Sequence, residues 1–292
     1  MPPTTHPAAA AGTVSLGRLT VNRLGYGAMR ITGKGIWGPP SDYDGAIATL
    51  RRAVELGVNF IDTADSYGPN VSEEMIAEAL HPYPADLVIA TKGGWQRVGP
   101  AQWIHNASPN RLREAVEGSL KRLRLDRIAV YQLHIPDPAV SFDASMECLA
   151  DLRSQGKIQH VALSNITLEH LERARKIVPI VSVQNRYSFA DREWDYLLDH
   201  CEKHGIAFIP WAPLGQNRQA HELLDRIAGE IHATPMQVAL AWLLSRSRIM
   251  LPIPGTSSAA HVEENIASAS LKLPEPLFEE LSRFEAPPAV LR

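Results

Sequence analysis

Residues 57 to 68 read GVNFIDTADSYG. An amphipathic run stops at Gly57, a residue type that commonly terminates helices. Asn59, Phe60 and Ile61 then make a short apolar run of strand type, and a polar turn closed by Gly68 carries Asp62 and Tyr67. A buried aspartate needs a cation, and so does a tyrosine that must give up a proton near neutral pH, because a free phenol has a pKa of about 10. One lysine could serve both. Working outward, the next strand-like run, 87–91, ends in Lys92, and the following one, 128–133, ends in His134. Asp, Tyr, Lys and His at successive strand ends are the parts that a proton donor for carbonyl reduction requires.

The rest of the chain has globular composition. Its 292 residues suit one α/β barrel of about 250 residues with extensions. Hydrophobic residues make up 45% and charged residues 21%, and a net charge of -3 gives no bias toward polyanions. Nucleic acid and membrane-surface partners are therefore not expected. The two cysteines, Cys148 and Cys201, lie inside helical patterns and read as buried thiols of a reducing cytoplasm. Cys201 and His204 have no second ligand pair, so no metal site is expected. Residues 1–12 lack a signal-peptide pattern and read as a flexible tail, and no run of 18 apolar residues predicts a membrane span.

Residues 14–24 alternate around Gly17-Arg18, which predicts a hairpin placed to plug a barrel bottom. From residue 24 onward short apolar strands alternate with helical patterns. The strands fall at 24–29, 59–61, 87–91, 128–134, 158–165, 180–184, 206–211 and 250–253. The helices include 43–56, 72–80 with Ser72 as cap, one opened by Ser108-Pro109, one capped by Thr167, one opened by Thr234-Pro235, and a C-terminal helix at 275–284. Trp95 and Trp103 fall in a long loop. Eight strand–helix units predict a single (β/α)8 TIM barrel over 13–292, with an N-terminal β-hairpin and a C-terminal helix. The C-terminal strand ends of such a barrel form one rim, so Asp62, Lys92, His134, Asn165, Gln184 and Trp211 are expected at one mouth.

In these blocks the sequence resembles the aldo-keto reductases. GVNFIDTADSYG is similar to the most specific motif of that family, and ATKGG, YQLH, LSN, VQNRYS, IPWAPLG and IPGTSSAAHVEEN match later blocks in order, over about 14–284. The resemblance implies that Tyr67 donates the proton, that Lys92 and Asp62 support it, and that His134 orients the carbonyl. It implies NADPH as cofactor, with NADH as the alternative. Ser164, Asn165 and Gln184 would hold the nicotinamide amide, and Trp211 would stack on the ring. The phosphates would sit at the turn 255–258, where a helix begins. The remaining contacts it implies come from Gly27, Ala28, Met29, Pro213, Leu214, Gly215, Arg218, Ile253, Gly255, Thr256, Ser257, His261, Glu264 and Asn265.

Two departures from the family pattern stand out. Gly255 occupies a position where many members have Lys, and His261 one where many have Arg; the segment 214–222 is also short, which implies that a long clasp over the cofactor is missing. GYGAM, the GIWGPP loop and EALHPYPADLVIATK resemble the bacterial pyridoxal-reductase-like branch. Trp37, Trp95 and Trp103 lie in loops above the rim, where large apolar residues are costly unless they cover something. Trp37 and Trp95, with Tyr67 and His134, are the expected substrate contacts. The expected activity is reduction of an aldehyde or ketone, with pyridoxal or another aromatic aldehyde as the small-molecule substrate, by a monomer or weak homo-oligomer. A regulatory subunit of the same fold would keep these residues and turn over slowly. A metal-dependent barrel hydrolase would need an HxH pair on the first strand, and the sequence has none there.

Overall fold

A computed structural model describes residues 6–214 and 218–285. The chain enters through an antiparallel hairpin, β1 (Thr13–Leu16) and β2 (Leu19–Asn22), turned at Gly17 with φ 65°. Strands β3 (Tyr26–Gly27), β4 (Phe60–Asp62) and β5 (Val88–Gly93) follow, then a second antiparallel pair, β6 (Trp95–Gly99) and β7 (Gln102–His105). Strands β8 (Ile128–Leu133), β9 (Ile158–Ser164), β10 (Ile180–Arg186) and β11 (Ala207–Trp211) complete the set. The helices between them are α1 (Tyr43–Glu55), α2 (Val71–Leu80), α3 (Pro109–Leu123), α4 (Phe142–Ser154), α5 (Leu168–Ile177), α6 (Asp195–His204), α7 (Arg218–Glu230), α8 (Pro235–Arg246), α9 (Ala259–Ala267) and α10 (Glu275–Ser282).

Strands β3, β4, β5, β8, β9, β10 and β11 are neighbours in that order, all parallel. The expected eighth strand is in position but makes only a bridge, Phe208 to Met250. Leu251 donates its backbone N–H to Phe208 on one side, while Gly25 donates to Pro252 on the other. Pro252 and Pro254 have no N–H to give, so this segment closes the barrel without a full ladder. The architecture is the (β/α)8 barrel read from the sequence.

Inward-facing residues recur with the strand period of two. Phe60, Val88, Ala90, Val130, Ala162, Ala207, Ile209 and Leu251 form one buried cluster, into which the hairpin inserts Val14, Leu16 and Val21. The hairpin thus seals the barrel's lower end. Two residues farther along each strand the interior turns polar, with Asp62, Lys92, Gln132 and Ser164 all buried. Gln184 joins this layer through a register shift between Ile180 and Val183 in the β9–β10 pairing.

Several helix starts follow the sequence chemistry. Ser108 accepts from the Arg111 N–H ahead of Pro109, and Thr167 and Thr234 each form a reciprocal capping box, with His170 and Gln237. Ser72 does not cap α2: Asn70 precedes the helix at φ 70°, and Ser72 is buried within it, where its hydroxyl meets Thr63 and the Ala28 carbonyl. Correction also applies to the N-terminus. Residues 1–5 lie outside the described residues, but Pro7–Ala11 is a 3-10 helix, with Ala8 fully buried and its N–H bonded to the Leu56 carbonyl, because small alanines fit against α1 where a longer side chain would not. The loop expected around Trp95 and Trp103 is the β6–β7 pair. No described helix is long and apolar enough to cross a membrane.

Candidate active site

Asp62 ends β4 opposite Ala90 of the neighbouring β5, and Lys92, two residues farther along the same face of β5, reaches it with its long side chain. The Lys92 Nζ donates to Asp62 Oδ1 at 2.5 Å, to the Thr63 carbonyl at 2.9 Å and to the Tyr67 hydroxyl at 3.3 Å. All three of its protons have acceptors, which is what a lysine with no exposed surface requires. The other carboxylate oxygen, Asp62 Oδ2, accepts from Gln132 Nε2 at 2.7 Å and Gln184 Nε2 at 2.8 Å. A buried ion pair is stable only with its remaining lone pairs satisfied, and the two glutamines do that.

Tyr67 comes from the loop after β4. That loop is tied down by Asp65, whose N–H donates to the Lys92 carbonyl, whose carbonyl accepts from Asn70 and whose Oδ2 meets Arg111 at 2.7 Å. Burial raises the Tyr67 phenol above its usual value, and the Lys92 charge pulls it only partway back. In the closed barrel desolvation outweighs that attraction, so the phenol stays protonated at neutral pH. His134 meets the Tyr67 ring edge-on, with centroids 5.8 Å apart. Burial, with Lys92 adding to it, holds the imidazole well below its usual value, so it is neutral at pH 7. Its Nδ1 lies 3.5 Å from the Ser66 hydroxyl.

Beside this group, Asn165 sits in the left-handed region at φ 55°, donating to the His134 carbonyl and to Ser164 Oγ, each at 3.0 Å. Its Oδ1 accepts from Trp211 Nε1 at 3.2 Å, while 36% of Trp211 remains exposed. Gln184 has spent its amide N–H groups on Asp62 and Gln132, which leaves its oxygen for a ligand. Gly27 and Gly255 face each other where β3 passes the closing segment. A Cβ on Gly255 would stand 2.6 Å from the Gly27 carbonyl oxygen, and one on Gly27 would stand 2.7 Å from that of Ile253. A side chain at Gly255 would therefore force the two backbones apart. Ala28 and Met29 follow Gly27 in a 3-10 turn.

The turn 255–258 leads into α9, capped by Ser258. Thr256 Oγ1 receives the Ser258 N–H and lies 3.4 Å from His261 Nδ1; Ser257 and His261 are exposed. Asn265 is buried, and the Glu264 carboxylate is held by the Thr234 hydroxyl at 2.7 Å. Pro213 and Leu214 are half-buried beyond β11, and Arg218 is almost fully exposed, paired with Glu222 at 2.9 Å. Gly215 lies outside the described residues.

Above the mouth, Trp95 and Trp103 pack edge-on at 5.8 Å, and their rings stand 6.4 and 6.5 Å from that of His134. Trp37 is half-buried and bridges Gly68. Two contributors escaped the sequence reading. Gln132 could have been found from its place between Val130 and His134 on the inward face of β8. Arg97 carried no signal, because an arginine in an assumed loop reads as a solvated charge. Among the described residues no cluster of three or more His, Cys, Asp or Glu is arranged for a metal ion.

The model of the "Aldo/keto reductase family" matches residues 23–286. The chain is 47% identical over 279 residues to pyridoxine 4-dehydrogenase of Escherichia coli, covering 93% of this chain and 97% of that one. Among solved structures, a glycerol dehydrogenase from Gluconobacter oxydans superposes with a TM-score of 0.83 at 25% identity, over 93% of this chain and 94% of the other. An aldo-keto reductase from Klebsiella pneumoniae in complex with NADPH gives 0.80 at 25% identity, over 95% and 96%.

Proposed function

The chain belongs to the aldo/keto reductase family, and from that premise we propose that it reduces an aldehyde or ketone to an alcohol with NADPH, Tyr67 giving the proton. Bound at this site, NADPH would supply the hydride for the carbonyl carbon. The residues that fit it are those around Trp211, whose exposed ring is placed for stacking, with Ser164, Asn165 and the Gln184 oxygen for the amide and the α9 N-terminus for the phosphates. The protein's own part is to move one proton. The protonated Tyr67 hydroxyl, bonded to Lys92, gives that proton to the oxygen that becomes the alcohol, and the buried cation stabilises the phenolate left behind. A neutral His134 with its Nδ1 toward Ser66 offers its Nε2–H to the same oxygen. The single observation that carries this reading is the Asp62–Lys92–Tyr67 chain of hydrogen bonds at a barrel mouth.

Trp95 and Trp103 beside His134 support an aromatic aldehyde as substrate, and the pyridoxine 4-dehydrogenase relative makes pyridoxal the first compound to try. Edge-on contacts of an aromatic substrate contribute about 0.5–1.5 kcal/mol each. Steady-state kinetics should therefore give kcat/KM for pyridoxal or benzaldehyde about 10-fold or more above that for propanal, and a preference for an open-chain sugar would overturn the assignment. The site is complete within one chain, which supports a monomer. Two free buried cysteines fit a reducing cytoplasm.

His261 supports a second expected result. Exposed on the first turn of α9, beside Thr256, it is our candidate contact for the adenosine 2′-phosphate, with Arg218 as competitor. Fluorescence titrations should show the NADPH/NADH affinity ratio falling by about 10-fold or more in His261→Ala. A ratio unmoved by the substitution assigns the contact to Arg218.

A further inference from the structure

We propose that Arg97 is a positioning residue that sets aromatic specificity by locking the tryptophan wall of the pocket to the loop that carries Tyr67. Only 8% of the Arg97 residue is exposed. Each of its guanidinium donors points at a backbone carbonyl. Nε meets Gln102 at 3.2 Å, Nη1 meets Ile36 at 2.8 Å and Ser66 at 3.2 Å, and Nη2 meets Gly35 at 2.8 Å and Gly99 at 3.3 Å. Five N–H donors thus find five acceptors, and among the described residues no carboxylate pairs with the charge. These carbonyls come from three separate stretches: the loop before α1 that bears Trp37, the Tyr67 loop, and the β6–β7 pair that bears Trp95 and Trp103.

The same guanidinium lies 3.9 Å from the centroid of the Trp103 ring and 5.7 Å from that of Trp37. A cation over an indole contributes up to about 2 kcal/mol when desolvated, so both rings are held by the group that holds their backbones. Ile36, next to Trp37, has φ 56°. For a β-branched residue that conformation is strained, and it persists only where the surroundings over-determine it. The short bond from Arg97 to the Ile36 carbonyl does so. No other side chain has this fork of donors: lysine keeps the charge but reaches one carbonyl group at a time.

This inference rests on the reading of the tryptophans as the substrate wall, and three variants separate the two. In full-length enzyme with NADPH, Arg97→Met and Arg97→Lys should raise KM for benzaldehyde by about 10-fold or more, as expected for loss of a charge-assisted contact, while KM for propanal moves by less than about 3-fold and the NADPH dissociation constant is unchanged. A purely structural arginine would depress both aldehydes alike, and that result, or wild-type kinetics in Arg97→Lys, overturns the proposal. Should Arg97→Met fail to fold, Arg97→Lys alone carries the test. Trp95→Leu, which leaves the guanidinium contacts in place, scores the wall itself: a normal KM for benzaldehyde there sinks the pocket reading, whereas a raised KM there with normal Arg97 variants sinks only the role of Arg97.

Discussion

Tyr67→Phe should lower kcat for aldehyde reduction by roughly 10² to 10⁴-fold, the range for loss of a positioned general acid. NADPH affinity should barely change, since the hydroxyl's contact is with Lys92. The ring keeps its edge-on packing against His134 in the variant, so the loss isolates the proton. An interaction made only in the transition state lowers kcat and kcat/KM together, and stopped-flow single turnovers separate that from slow product release. Because burial holds the phenol above its usual value, kcat in the reduction direction should not decline through loss of the Tyr67 proton between pH 6 and pH 9. Alcohol oxidation needs the phenolate and should gain rate with rising pH over that interval. Wild-type turnover in Tyr67→Phe would refute the assignment, and a slow wild-type enzyme across an aldehyde panel would favour the regulatory-subunit reading.

How far the sequence carried these conclusions depended on the kind of signal. Barrel, hairpin plug and the Asp62–Lys92–Tyr67–His134 grouping were legible, because strand alternation and register place residues two apart on one face and parallel neighbours side by side. Gln132 belongs to the same periodic logic yet stayed unread, since a glutamine between Tyr131 and Leu133 looks like one more strand residue until Asp62 needs a donor. The β6–β7 pair was misread because Gly94, Gly99 and Pro100 around it are loop residues by composition, while its cohesion comes from Arg97, a tertiary feature. Gly255 was read as a missing cation and is a close approach of two backbones, which no single-sequence pattern encodes. The net direction of the Tyr67 shift also lay beyond the sequence, for desolvation and a lysine's charge oppose each other and only packing decides between them.

Lys92→Met should be the most damaging single substitution for stability. It removes the cation from Asp62 in a layer where both side chains are buried, and breaking one partner of such a pair costs about 3–5 kcal/mol. Gln132 and Gln184 still donate to Oδ2, which keeps the cost within that range. Burial alone would push the Lys92 ammonium down, but the Asp62 charge and hydrogen bond outweigh it and the net direction is up. A lysine raised in the folded state contributes stability that is complete below its unfolded pKa of about 10.4 and is lost only as pH rises through the higher folded value. The Lys92 contribution to wild-type stability should therefore be constant from pH 6 to pH 9 in urea titrations. Asp62→Asn in the Lys92→Met background removes the stranded charge and should recover at least about half of the loss, giving a strong coupling term in the double-mutant cycle. Activity should not return with it, because Tyr67 then has no cation to hold its phenolate. If the two substitutions simply add in stability, the pair is not the structural ion pair described, and if the double variant regains turnover, Lys92 does not support the proton donor.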